Sequence, residues 1–201
     1  LVSFAVSTAH IGDIISPEFK RAGSRVVRLS AKLNESGLPD AESVRALCEE
    51  VTSLIREGRV LSCWTAGFGG VAEGILKMAV GNGIGFKFDR AFDLERAFSL
   101  DYGSFILELA DGADVGETIG HTTEDGRLSM GDASVSLGEL TALYEGRLES
   151  VFPNNTVKDE SAVEPFTWCG HTTRHEGKPI AKPRVLIPVF PGTNCEYDTA
   201  A

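Results

Sequence analysis

Between Asp40 and Gly58 the residues Val44, Leu47, Cys48, Val51, Leu54 and Ile55 recur at spacings of three and four. That period gathers them on one stripe of a helix and leaves the opposite face to solvent. Asp40 stands where it can cap the first turn, and Gly58 where it can stop the last. A helix with a single apolar stripe is stable only against a second layer, and the chain offers one in its strand-like runs. Arg25–Ser30, Val60–Trp64, Gly85–Phe88 and Ser104–Leu109 are rich in β-branched and aromatic residues and read as strands.

The rest of the pattern fits this frame. Residues 2–9 alternate loosely and read as a further strand, broken by Gly12 and Asp13; Pro17 opens a short helical turn, and Asn34–Pro39 is a polar loop. A second helix is predicted over Val71–Val80, ended by the Gly81-Asn82-Gly83 turn, and Phe92–Leu100 forms a brief helix. Residues 116–136 hold two or three short strands around Asp125-Gly126, a hairpin signal. A last helix starts near Leu137 with Leu140, Tyr144 and Leu148 on one face. Neighbouring strands mix with strand–helix alternation, so the expected class is α+β, a mixed sheet with flanking helices rather than a doubly wound one. From Pro153 to Pro183 the apolar periodicity lapses, which divides the chain into a domain over 1–152, a linker over 153–183 and a strand-plus-turn piece over 184–201.

A chain of 201 residues, 42% hydrophobic and 24% charged, can bury one sizeable core. Its net charge is −10, of which residues 1–152 carry −9, and no basic stripe suited to phosphate backbones is visible, which argues against nucleic acid as a partner. No run approaches the roughly 18 apolar residues of a membrane span, and the opening LVSFAV lacks the flanks of a secretory signal, so a cytoplasmic location is expected. The chain opens on a strand-like run without an initiator methionine and stops straight after a strand and turn. A piece of a longer protein is therefore expected. Cys48, Cys63, Cys169 and Cys195 show no framework spacing and are expected to be reduced and mostly buried.

Three places could carry chemistry. In Trp64-Thr65-Ala66-Gly67-Phe68-Gly69-Gly70 a glycine turn joins a strand to a helix, and Gly67, Gly69 and Gly70 could present backbone N–H groups to a phosphate. Equally, Gly69 and Gly70 could serve only to pack the helix closely. Cys169, His171 and His175, with Cys195 as a fourth donor, have the ligand types zinc prefers, but the half-motif lacks a framework, so the segment reads as a polar linker and no metal is assigned. Cys195 follows a strand and a turn as a nucleophile would, yet Thr193-Asn194 is the wrong flank for a Gly-x-Ser-x-Gly elbow, and the thiol reads as structural. His10, His121, Asp13 and Glu73 have no partner identifiable from spacing.

The run RVLIPVFPGTNCEYDTA, residues 184–200, closely resembles the opening of the glutaminase domain of phosphoribosylformylglycinamidine synthases. Upstream, LVSFAVSTAHIGDIISPEFKRAGSRVVRL, GGVAEGILKMAVGNGIGF, Tyr102-Gly103-Ser104 and Leu148–Pro153 resemble the C-terminal domain shared by the aminoimidazole ribonucleotide synthetase superfamily. In the large single-chain synthases that domain lies immediately before the glutaminase. The resemblance implies a parent enzyme that converts formylglycinamide ribonucleotide, ATP and glutamine to the amidine, ADP, phosphate and glutamate, with magnesium accompanying the nucleotide. It implies partners within the same chain, the sister synthetase subdomains and the glutaminase domain, and small-molecule substrates. The piece alone is then expected to be inactive. Residues 1–152 taken by themselves would also suit a hydrogenase-maturation or selenophosphate synthetase relative, and a purely structural subdomain is the other reading.

Many members of the family carry Asp-x-Ser-Asp-Gly-Gly before the corresponding helix. Aligned on Gly69-Gly70, this chain has Thr65, Gly67 and Phe68 at the first acid, the serine and the second acid. Both carboxylates are gone, so the resemblance implies a positioning or auxiliary role for the loop and no catalytic residue. It likewise places the glutaminase nucleophile and its partners beyond Ala201, which leaves Cys195 as part of a turn.

Overall fold

The computed structural model describes residues 4–153, 167, 169, 170, 181, 182 and 184–200. The chain divides into two compact units, Leu1–Val157 and Lys158–Ala201.

The first unit is built on a seven-stranded mixed sheet. Its strands are β1 (Arg25–Ser30), β2 (Val60–Thr65), β3 (Gly85–Phe88), β4 (Ser104–Leu109), β5 (Glu117–Thr123), β6 (Arg127–Met130) and β7 (Ala133–Ser136), in the spatial order β2-β4-β1-β5-β3-β6-β7. All neighbours are antiparallel except β3 and β6. Helices α1 (Ala41–Arg56), α2 (Gly70–Asn82), α3 (Leu94–Phe98) and α4 (Leu137–Gly146) flank it. This is the α+β architecture expected.

Alternation along the central strands splits the core in two. Val27, Leu29, Leu107 and Leu109 pack with Leu47, Val51 and Leu54 of α1, while Val26 and Ile106 pack with Val71, Ile75 and Met78 of α2. The α1 stripe read from the sequence is thus the buried face, and the Asp40 carboxylate accepts from the Ser43 N–H at 2.9 Å as its cap. Helix α4 begins with a capping box between Ser136 and Glu139.

Among the buried polar residues one is a fully enclosed carboxylate. Glu108 of β4 is fully buried and accepts hydrogen bonds from the Lys20 N–H (2.8 Å), the Arg21 N–H (3.2 Å) and the Ser62 hydroxyl (2.8 Å). Burying a carboxylate is tolerable only with such donors. The result is a clasp that holds the chain leading into β1, with buried Phe19 seated between α2 and β3 and stacked on Phe86.

Several expectations fail. Residues 4–9 form no strand: Phe4 and Val6 are 92% and 96% exposed, and both neighbours of β1 are already supplied by β4 and β5. The helical turn expected at Pro17 lies instead at Ile11–Asp13, as a short 3-10 segment. Asp125-Gly126 does turn the chain, but β5 and β6 do not pair, because β3 lies between them; the hairpin is β6–β7, closed at Gly131-Asp132. Leu148 lies past the end of α4 and is exposed. In the second unit residues 184–190 form no strand, since no second strand pairs with them among the described residues, and Cys195 leads into the short helix α5 (Glu196–Ala200). The thiols are free, but only Cys63 is substantially buried; Cys48 falls at the solvent edge of the α1 stripe.

Replacing Glu108 by Ala leaves three donors without their acceptor. It is expected to lower the unfolding free energy by about 3 kcal/mol, read as a shift of the urea midpoint; a loss below about 1 kcal/mol would show that the clasp is not needed.

Candidate functional site

Helix α2 approaches the sheet closely at Gly74. A Cβ there would lie 2.5 Å from Ile106 Cδ1 and 3.0 Å from Trp64 Cδ1, so a larger residue fits only if the Ile106 side chain or the helix shifts. This seating brings the first turn of α2 against the end of α3. Gly70 has a left-handed φ of 64°, and a Cβ on it would fall 2.3 Å from the Ser99 carbonyl oxygen and 2.8 Å from that of Ala97. Close packing is therefore required at Gly70, though its neighbour is α3 rather than the sheet.

The donors of the turn are divided. The Gly70 N–H donates to the Gly67 carbonyl at 3.1 Å, and the Gly69 N–H donates to Glu73 Oε2 at 3.0 Å. Glu73 is held in turn by Lys77, whose Nζ donates to Oε1 at 2.6 Å and lies 5.4 Å from the centroid of the Trp64 ring. The protein thus places its own carboxylate at the positive end of α2. The Lys77 hydrogen bond, joined by the one from Gly69, holds the Glu73 carboxyl below its ordinary range, and the same contact pushes Lys77 up. Among the described residues the N–H groups of Gly67 and Phe68 have no protein acceptor, and the Phe68 side chain is 78% exposed. Of the three sequence-predicted glycines, Gly67 alone keeps an available donor.

Beyond Glu73 the surface opens into an apolar trough of about 470 Å³ between α2, α3, α4 and the β6–β7 hairpin. Ala72 and Leu76 form one wall, Leu128, Met130 and Val135 another, and Leu94, Phe98 and Tyr144 the rim. A second hollow of about 360 Å³ continues past Leu76, Lys77 and Tyr144 to Trp64. The sequence reading found no partner for Glu73, although its spacing of four from Lys77 on α2 is a signal for the ion pair; the trough has none, because its walls come from several separate elements.

On the far side of the Gly67–Gly70 turn, Arg28 donates to both oxygens of Asp101, through Nε at 2.7 Å to Oδ2 and through Nη2 to Oδ1. Glu117 lies 3.6 Å from Arg28 and accepts from Arg96 at 2.6 and 2.8 Å. Asp101 chiefly pushes the Arg28 guanidinium up. Every charge in this group is matched, so it is a brace and offers no free base or nucleophile.

The other candidates separate. Burial pushes the Cys63 thiol up to about 11, far from a reactive thiolate. Cys195 is exposed with a left-handed φ of 62°, its N–H donating to Asn194 Oδ1 at 3.0 Å. His171 and His175 lie outside the described residues, and among those described no three His, Cys, Asp or Glu side chains converge to hold a metal. His121 sits 3.7 Å from Asp89, and Asp13 accepts from Arg56 at 3.3 Å, both at the surface. Among the described residues no helix is long and apolar enough to cross a membrane.

Two substitutions separate the glycines. Gly70→Ala combines a disfavoured φ with carbonyl overlap and is expected to cost about 2–4 kcal/mol, whereas Gly67→Ala, whose Cβ would meet nothing nearer than Tyr102 at 4.0 Å, should shift thermal unfolding little. For Glu73 the folded value lies below the ordinary 4.5, so its stabilising contribution is full above that pH and is lost as pH falls through the lower folded value. The Gly69 amide resonance should accordingly titrate with a midpoint below 4.5, and Glu73→Gln should abolish that titration.

No protein-family model matches the chain. Solved structures do match the fold. PurLQS from Thermotoga maritima superposes with a TM-score of 0.57 at 13% identity, over 78% of this chain and 31% of that one. T. maritima PurL complexed with AMPPCP gives 0.54 at 15% identity over 76% and 30%, and the same protein complexed with FGAR gives 0.54 at 13% over 77% and 32%. The chain therefore spans a little under a third of the length of the structures it matches, and its fold is that of a part of the PurL synthetase.

Proposed function

We propose that this chain is the last C-terminal-type subdomain of a phosphoribosylformylglycinamidine synthase, followed by the start of the glutaminase domain. In the parent enzyme, formylglycinamide ribonucleotide, ATP with magnesium, and glutamine would give the amidine, ADP, phosphate and glutamate. The observation that carries the reading is the PurL fold over three quarters of the chain, in a protein whose residues 184–200 resemble the glutaminase opening. The PurL complexes with FGAR and with AMPPCP support substrate and nucleotide as the ligand classes.

Within that reaction this subdomain supplies a surface rather than a catalyst. Thr65 and Phe68 carry no carboxylate, and the charged groups near the turn are already paired. Phosphate contact at the Gly67, Gly69 and Gly70 turn would run through the Gly67 and Phe68 amides, since Gly69 serves Glu73 and Gly70 serves the Gly67 carbonyl. A purely packing role is the second reading, favoured by the exposed Phe68, Leu94, Phe98, Leu100 and Tyr102.

The parent protein, assayed for ADP release with formylglycinamide ribonucleotide present, is expected to turn over with either glutamine or ammonia as nitrogen donor. If neither donor supports turnover in folded protein, the reaction assigned here is wrong and only the fold stands. Titrating the 201-residue chain with ATP should move the Gly67 and Phe68 amide resonances and leave Gly69 nearly still; shifts at Gly69 alone would refute that route of contact.

A further inference from the structure

The hollow of about 360 Å³ at the Trp64 end of the trough lies among α2, α4 and β2. Leu76 and Val80 of α2 give it an aliphatic side, and Trp64 of β2 and Tyr144 of α4 give it aromatic ones. Thr141 and Glu145 stand one helical turn apart on α4 and both line it, so they share a face of that helix. None of Gly67–Gly70 lines it, which sets the hollow apart from the glycine turn.

The polar groups around this hollow are unspent. Among the described residues the Trp64 indole N–H and the hydroxyls of Thr141 and Tyr144 have no hydrogen-bond partner, and the Glu145 carboxylate has neither a hydrogen bond nor an ion pair. Lys77 donates to Glu73 at 2.6 Å and, as an ammonium, keeps further N–H groups to give. An apolar molecule laid over these groups would take their water and return nothing, which costs free energy. An anion would meet the carboxylates of Glu145 and Glu73 against the lone ammonium of Lys77. A planar heterocycle avoids both penalties. Its faces meet the aromatic and aliphatic side chains, while its edge offers an amino group to Glu145 or Thr141 and a ring nitrogen to Lys77 or Trp64.

We infer that the hollow between Trp64, Tyr144 and Glu145 binds an uncharged, amino-bearing nitrogen heterocycle of bicyclic size, the free nucleobase class, in preference to its phosphorylated forms. The volume agrees, since about 360 Å³ falls at the low end of the roughly 300–1,000 Å³ typical of small-molecule sites. A phosphate carried on such a ring would have to pass Glu145 or lie in the apolar trough beside Glu73. The side chains involved are not those of the phosphate contact proposed above, so the site is independent of that reading.

Adenine is the probe, titrated into the 201-residue chain with Trp168→Phe so that a single indole remains. The Trp64 Nε1–H resonance should shift saturably, with a Kd of about 1 mM, the scale open to a ligand of about ten non-hydrogen atoms. Glu145→Gln, a change at an exposed position, removes the charged acceptor; it should weaken adenine about ten-fold and leave the unfolding temperature unchanged. AMP should bind more weakly than adenine. Absence of a saturable shift, an affinity unmoved by Glu145→Gln, or AMP binding as tightly as adenine each overturns the inference. So do shifts at the Gly67 and Phe68 amides in place of Trp64, since the ligand then belongs to the glycine turn. Turnover of the parent enzyme moves none of these readouts, so failure of this site and failure of the assigned reaction are told apart.

Discussion

The close approach of α2 to the sheet at Gly74 is the constraint from which the rest of the site follows. With no side chain at that position, Ile106 and Trp64 meet the helix backbone directly. That depth fixes where the helix begins, and so wedges Gly70 against the carbonyls of Ala97 and Ser99. It also sets Lys77 beside the Trp64 ring and within reach of Glu73. A residue at 74 too bulky for the Ile106 side chain to make way would lift α2 and loosen the turn, the ion pair and the inner wall of the trough together, because all three are read off one rigid helix.

Electrostatics then decide what the turn can do. An unoccupied helix N-terminus attracts an anion. Here the protein supplies that anion from the helix's own first turn, and the carbonyls of Ala97 and Ser99 crowd the other side of Gly70. The free donors of the loop, at Gly67 and Phe68, lie farther along toward β2, and among the described residues the Val71 and Ala72 amides of the first helical turn also have no protein acceptor. A phosphate held by the two loop amides would sit away from the helix axis, without the full dipole behind it. That is consistent with an auxiliary contact and unlike a site built to drive phosphoryl transfer, where charge on the transferring group is met by clamped cations.

Much of the fold was legible because its signals are local. The α1 stripe, the Asp40 cap and the four strands from Arg25–Ser30 to Ser104–Leu109 each rest on residues within one element, and the structure has them. Elements that depend on a distant partner were not legible. The alternation over residues 2–9 and the β-branched run over 184–190 have strand composition but no partner strand among the described residues, and the Asp125-Gly126 turn was read as a hairpin because nothing in its own sequence reveals that β3 intervenes. At the site, the strand–glycine–helix arrangement was visible, whereas the occupation of Gly69 by Glu73 needed the seating of α2.

The brace formed by Arg28, Asp101, Glu117 and Arg96 complements the clasp at Glu108. Arg28 and Glu108 belong to adjacent strands, and each ties the sheet to a segment without regular structure, Ser99–Gly103 in one case and Glu18–Ser24 in the other. Neither group has a polar atom to spare for a substrate: Asp101 is taken by Arg28 and the Ser104 hydroxyl, Glu108 by two amides and the Ser62 hydroxyl. The buried charges therefore stiffen the two edges of the α2 face while the apolar trough between α3, α4 and the hairpin stays uncovered. A rigid frame around an uncovered apolar face suits a component whose contribution is to be packed against, as the proposed function requires.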